Sequence, residues 1–249
     1  MSDKQKNRSI PSGEGRFATT HWSVVQAAGL PNSSRYKSSL ETLCKTYWYP
    51  LYAYLRRHGY NADQAGDHTQ AFFAQLMEKQ SIRLADPKRG KFRSFLLTSL
   101  KNFIADEYDR SQAQKRGGGK NIFSLDFESA EGQYSLEPKD EMSPEKLFDR
   151  SWAITTLKNT LDRLHGEYKS DRKKKLFEHL KTYLTTDKQT ATYNDIAEKL
   201  KMTEGAVKVA VHRLRKRYRD LLKEEITQTV SSESEVDEEI NELFKALSG

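Results

Sequence analysis

Cysteine is almost absent from this chain: Cys44 stands alone among 249 residues. An intrachain disulfide and a cysteine-built zinc site are thereby excluded, and the apolar setting beside Leu43 reads Cys44 as a small core residue. Glycine and proline are scarce, 13 and 6, which argues against a β-rich or collagenous chain. No uninterrupted apolar run reaches membrane-spanning length, and the polar stretch 1–15 has no apolar signal core. The expectation is a soluble, cytoplasmic protein with no membrane partner. Apolar residues make up only 36% and charged residues 31%, so each hydrophobic core must be small.

What is present favours helix. Long stretches use Ala, Leu, Glu, Lys, Gln and Arg, which lose little entropy in that conformation. The reading is all-α: two small helical domains joined by a flexible linker, the second containing a helix-turn-helix. Residues 1–15 are expected to be disordered, 16–120 to form the first domain, 121–145 the linker and 146–225 the second domain. Residues 226–249 are an acidic tail with one short helix.

Within the first domain, Leu40, Leu43, Tyr47, Leu51, Tyr54 and Leu55 recur at helical spacing, with Pro50 expected to kink that helix or begin another. Gly59-Tyr60-Asn61 marks a turn, and Asp63 is a candidate cap for the next helix, whose inward stripe is Ala65, Thr69, Phe72 and Leu76. Phe92, Phe95, Leu96, Leu100, Phe103 and Ile104 fit one face of a further helix. Gly117-Gly118-Gly119 ends the domain and, lacking a strand before it or a Gly-Lys-Ser/Thr after it, is a weak phosphate-loop signal.

Charge is segregated. Between Lys201 and Lys223 eight basic residues face only Glu204 and Asp220. Lys88, Arg89, Lys91, Arg93, Lys101, Arg110, Lys115, Arg116 and Lys120 form a second basic stretch, whereas the tail after Lys223 is acidic. Two basic blocks suggest a polyanion partner, nucleic acid foremost. The competing reading is two solvated helix faces.

The sharpest motif spans 192–222. Thr192 with Asp195 resembles a capping box opening a helix that turns Ile196, Ala197 and Leu200 inward. After a tight connection at Lys201 and Met202, Thr203 can cap a second helix with Val207, Val211, Leu214, Tyr218 and Leu221 buried. Helix-turn-helix modules place the N-terminal residues of the second helix against base edges. Candidates here are Thr203, Glu204, Gly205, Lys208, His212, Arg213, Arg215, Lys216 and Arg217. Lys208 and Arg213 or Arg215 can donate to guanine or phosphate, Glu204 can accept from cytosine, and Gly205 permits close backbone approach. Lys216 and Arg217 suit phosphate.

Residues 190–226 resemble region 4 of extracytoplasmic-function sigma factors, and residues 43–116 resemble region 2 of the same family. DQAGDHTQAFFAQLMEK (63–79) is similar to the helix that docks on RNA polymerase. FRSFLLTSLKNFIADEYDR (92–110) is similar to the helices that read and melt the −10 element. The resemblance implies core RNA polymerase and promoter DNA as partners and leaves room for an anti-sigma factor. A monomer when free, no enzymatic activity and no cofactor are expected. The resemblance assigns Asp67, Gln70, Phe73 and Glu78 to polymerase, Lys101, Asn102, Asp106, Tyr108 and Arg110 to −10 DNA, and Thr203 to Arg217 to the −35 element. Apart from kinship, separated strands need cations and stacking faces, which Lys91, Arg93, Lys101, Phe103 and Tyr108 supply.

Two other classes compete. An enzyme would need convergent groups, yet Asp67 and His68 are adjacent and point about 100° apart on a helix, and no catalytic grouping stands out among Asp63, His165 and His179. A helix-turn-helix regulator that needs no polymerase accounts for 192–222 alone. The acidic tail is expected either to be solvated with one packing helix or to fold back on the basic helix as a DNA mimic.

Overall fold

The computed structural model describes residues 22–113, 127–137, 142–185, 192–227 and 235–248. Helix is the regular structure of those residues, with no strand among them. A short helix, α1 (Trp22–Ala28), leads into α2 (Tyr36–Arg57), along which the six periodic apolar residues are all buried. Pro50 lies inside α2 and neither ends it nor starts another helix. Tyr49 and Leu51 to Leu55 are buried around it, and that packing offsets the one missing backbone hydrogen bond.

Asn61, not Asp63, caps α3 (Ala62–Glu78). Its side chain accepts from the Gln64 N–H at 2.9 Å, and the Gln64 side chain accepts from the Asn61 N–H at 3.1 Å. Asp63 sits in the first turn, where a negative charge suits the helix dipole. Ala65, Thr69, Phe72 and Leu76 are buried as expected. Two 3-10 turns, Ser81–Leu84 and Pro87–Arg89, then lead to α4 (Phe92–Ala113), whose Phe92, Leu96, Leu100 and Phe103 complete the first core.

The described part of the expected linker is not all loose chain. It contains α5 (Phe127–Ser135), and Ala130 of that helix is buried in the first core. Glu131 accepts from Arg56 at 2.9 and 2.6 Å and from the Tyr52 hydroxyl at 2.5 Å. Gly117 to Gly119 lie outside the described residues, as do 1–15. Ser143 then caps α6 (Pro144–Glu167), with Pro144 at the first helical position, where its missing N–H costs nothing.

Helices α7 (Asp171–Leu180), α8 (Thr182–Thr185), α9 (Tyr193–Leu200) and α10 (Glu204–Thr227) form a second core around Phe177, Leu180, Ile196, Val207, Val211 and Leu214. Two helices belong to both cores. Leu147, Phe148, Trp152 and Ala153 of α6 pack in the first core and Leu164 in the second; Leu221 of α10 packs in the second, and Leu222 and Ile226 in the first. The last helix, α11 (Val236–Ser248), buries Val236 and Leu243 in the first core. Continuous helices therefore run from one core to the other.

Candidate nucleic-acid interface

The capping box expected at Thr192 is present. Thr192 Oγ1 accepts from the Asp195 N–H at 3.2 Å, and Asp195 accepts from the Thr192 N–H at 2.9 Å. The backbone N–H of Thr192 on the Asp195 carboxylate holds its pKa below the ordinary value. Helix α9 ends at Lys201, whose φ of 52° is left-handed, and the chain turns directly into α10. Thr203 caps that helix by accepting from the Ala206 N–H at 3.2 Å. With Val207, Val211 and Leu214 inward, the opposite side of α10 must meet water.

That side carries the candidates. Gly205, Lys208, Val209, His212, Arg213 and Lys216 are exposed along α10, one or two per turn, so these positions share one face. Thr203 and Glu204 are exposed at its start. Lys208 pairs with Glu204 at 2.6 Å and lies 5.6 Å from the centre of the Tyr193 ring, itself stacked on Tyr183. The Glu204 carboxylate raises the Lys208 pKa, which keeps the ammonium charged. The side chains of His212, Arg213 and Lys216 make no hydrogen bond or ion pair among the described residues. Comparison with protein-family models, curated proteins and solved structures finds no match. What the chain does must be read from its own residues.

Arg217 departs from its expected role as a phosphate contact. Its Nε and Nη2 donate to Glu167 at 2.9 and 2.6 Å, and its Nη1 donates to Glu224 at 3.2 Å. It is a strut from α10 to the end of α6, because a planar guanidinium matches a carboxylate fork better than a point charge would. Arg215 remains exposed but donates from Nε to the Tyr183 carbonyl at 3.1 Å, which fixes it on the flank toward α8. Beside the exposed row a groove of about 650 Å³ runs between α7 and α10, floored by Leu176, Met202, Ala206 and Val209 and edged by Lys173 and Arg213. Val209, half exposed, escaped the sequence reading, although it directly follows Lys208 on the same face.

The first core presents a mixed result. Asp67 and Glu78 are exposed on α3 and Gln70 is half-buried, but Phe73 is 3% exposed and belongs to the core, so it is not a docking contact. Its ring packs against Phe72 at 5.9 Å; a helix wedged between neighbours buries more than one stripe. On α4, Asn102, Asp106 and Tyr108 are exposed, and the Arg110 side chain lies outside the described residues. Lys101 pairs with Glu145 at 2.8 Å and sits over Tyr54. Phe103 is core. With Asp106, Glu107 and Asp109 nearby, this face is not cationic over the described side chains.

Lys91 and Arg93 are covered by the tail. Glu239 and Glu242 of α11 pair with both, so the acidic helix, packed on α6 and α10, sets these two carboxylates on the cations at the start of α4 and not on the 204–219 row. Among the described residues no group of three His, Cys, Asp or Glu side chains converges to hold a metal ion. Nor is any described helix long and apolar enough to cross a membrane.

Proposed function

We propose that this protein is a transcription initiation factor of the sigma type, which reads duplex promoter DNA with α10 and grips core RNA polymerase with the exposed side of α3. One observation carries the reading: a solvent-facing cationic row on a helix whose opposite side is core, reached through a capped three-residue connection from a second helix. Such a row is narrow enough for a major groove. Lys208 and Arg213 reach guanine acceptors, Val209 offers a methyl surface to thymine, and Lys216 meets phosphate. Breaking the exposed Lys208–Glu204 pair costs little in water, which leaves Glu204 to accept from cytosine.

A second reading, a duplex-binding regulator independent of polymerase, is favoured by the acidic character of the described α4 face and by the burial of Phe73. Transcription with bacterial core polymerase and the purified chain on genomic fragments separates the two. Promoter-specific run-off transcripts and co-elution with core enzyme are the expected outcome. Salt-sensitive DNA binding without either would replace the sigma reading with the regulator.

A further inference from the structure

The seam between α4, α6 and α11 holds a charge cluster that duplex binding by α10 does not use. Arg93 is 9% exposed, and its guanidinium lies 4.2 Å from the centre of the Trp152 ring. It pairs with Glu239, with Glu242 at 2.6 Å and with Asp149 at 3.3 Å. Lys91 pairs with Glu239 at 2.5 Å and with Glu242. Beside them is a cavity of about 310 Å³ whose lining includes Arg93, Lys146 and Lys245 as cations against Asp149 and Glu242. That volume far exceeds the roughly 30 Å³ a water occupies in the liquid, and the lining has more positive than negative groups.

We propose that this seam is a binding site for the backbone phosphates of single-stranded nucleic acid, and that α11 occupies it as a built-in competitor. The inference rests on the DNA-binding reading above and assigns a control to it. Glu239 and Glu242 are three residues apart on α11 and so share one side of it, where they neutralise the cations as successive phosphates would. Their burial differs: Glu239 is 1% exposed and Glu242 is 42% exposed. Glu242 is therefore the carboxylate a phosphate replaces first, entering through the cavity where Lys146 and Lys245 add attraction. Once Glu242 is displaced, α11 is held by its apolar side and Glu239. Strand binding thus loosens α11 docking, and by linkage each weakens the other equally.

The test uses the full-length chain and Glu242→Gln, which keeps α11 and its apolar contacts. Fluorescence anisotropy with a labelled single-stranded oligodeoxynucleotide should show tighter binding by the variant, about fivefold or more at low salt. In the unaltered chain, hydrogen exchange of the 236–248 amides should quicken when the oligonucleotide binds. Equal affinities, or a segment that stays as protected with the strand bound, overturn the proposal. So does exchange that inorganic pyrophosphate quickens and the oligonucleotide does not, since the site would then serve a small free phosphate. A labelled duplex is titrated in parallel: duplex binding with an unresponsive α11 sinks only the seam, whereas no duplex binding by any chain sinks the DNA-binding reading itself.

Discussion

Replacing Arg217 with alanine deletes a guanidinium that bridges α10 to Glu167 and Glu224. Its side chain is 40% exposed and the two carboxylates about as much, so solvent screens the pairs and neither partner is stranded without water. An ordinary exposed pair contributes about 0.2–1 kcal/mol, and the forked geometry with a second carboxylate places this one near the top, about 1 kcal/mol. For a chain of this size that is a fall in Tm of about 2–4 °C. The Glu167 pKa is held below the ordinary carboxylate value chiefly by its hydrogen bond with Arg217. The stabilisation is therefore present above the ordinary value of 4.5 and is lost as pH falls through the lowered one, so the two Tm curves should converge in acid. Lys216→Ala should do the opposite: no change in Tm, but a salt dependence of duplex affinity shallower by about 0.9 in log–log slope. Circular dichroism melts and anisotropy titrations over a salt series measure both. An Arg217→Ala variant with unaltered Tm and a slope reduced by about 0.9 would show that Arg217 leaves its carboxylates for a phosphate, and the strut would be refuted.

A Cβ on Gly205 meets nothing within 4 Å, so Gly205→Ala should raise stability by about 0.5 kcal/mol in urea melts while lowering duplex affinity; undiminished affinity would mean that this stretch of backbone does not approach DNA. Lys208→Ala should change base preference at one position in a panel of singly substituted duplexes, and an equal loss across the panel would make it a phosphate contact instead. Phe73→Ala should cost about 3–5 kcal/mol in the same melts, so any loss of polymerase binding by that variant reports a damaged core. Asp67→Ala should leave the melt unchanged and reduce co-elution with core polymerase; undisturbed co-elution for Asp67→Ala and Glu78→Ala would remove α3 from that contact.

Periodicity made most of the helices readable, because a residue's inward or outward position depends only on its neighbours three and four places away. The stripe Ala65, Thr69, Phe72, Leu76 and the buried face Val207, Val211, Leu214 are of that kind. So is the Thr192 capping box, whose partners are three residues apart. Harder to read were features set by residues far apart in the chain. Nothing near Phe73 says that its side of α3 is also covered, and Arg217 looks like any other residue of a basic run until Glu167, 50 positions earlier, meets it. Polar composition concealed α5, which is attached by Ala130 in the core and by one carboxylate that finds Arg56 and Tyr52. The acidic tail was legible as a charge and as one amphipathic helix; its target was not, since Coulomb attraction alone cannot choose between two basic surfaces.

Sharing α6 and α10 between the cores decides how freely the two candidate surfaces can move. For α6 to leave α2 as a loose tether would, Leu147, Phe148 and Trp152, each 3% exposed or less, would have to enter water. At roughly 2 kcal/mol for each buried side chain, that separation costs on the order of 6 kcal/mol, an upper figure because an unfolded chain already hides some surface. The Arg163 pairs with Glu224 at 2.5 Å and Glu225 at 2.6 Å add a lateral bolt between α6 and α10. Glu225 is 2% exposed, so its pair with Arg163 is formed largely away from water, where an ion pair is screened little. A ligand that needed the cores apart would have to supply that energy from its own contacts, whereas one that meets α10 where it stands spends nothing. Helix α11 packs on the same two helices and pairs with α4. On its charged side Glu242, 42% exposed, can open at low cost, because it already faces solvent and the cations it leaves gain a new anion in exchange, whereas Glu239 is 1% exposed and stays.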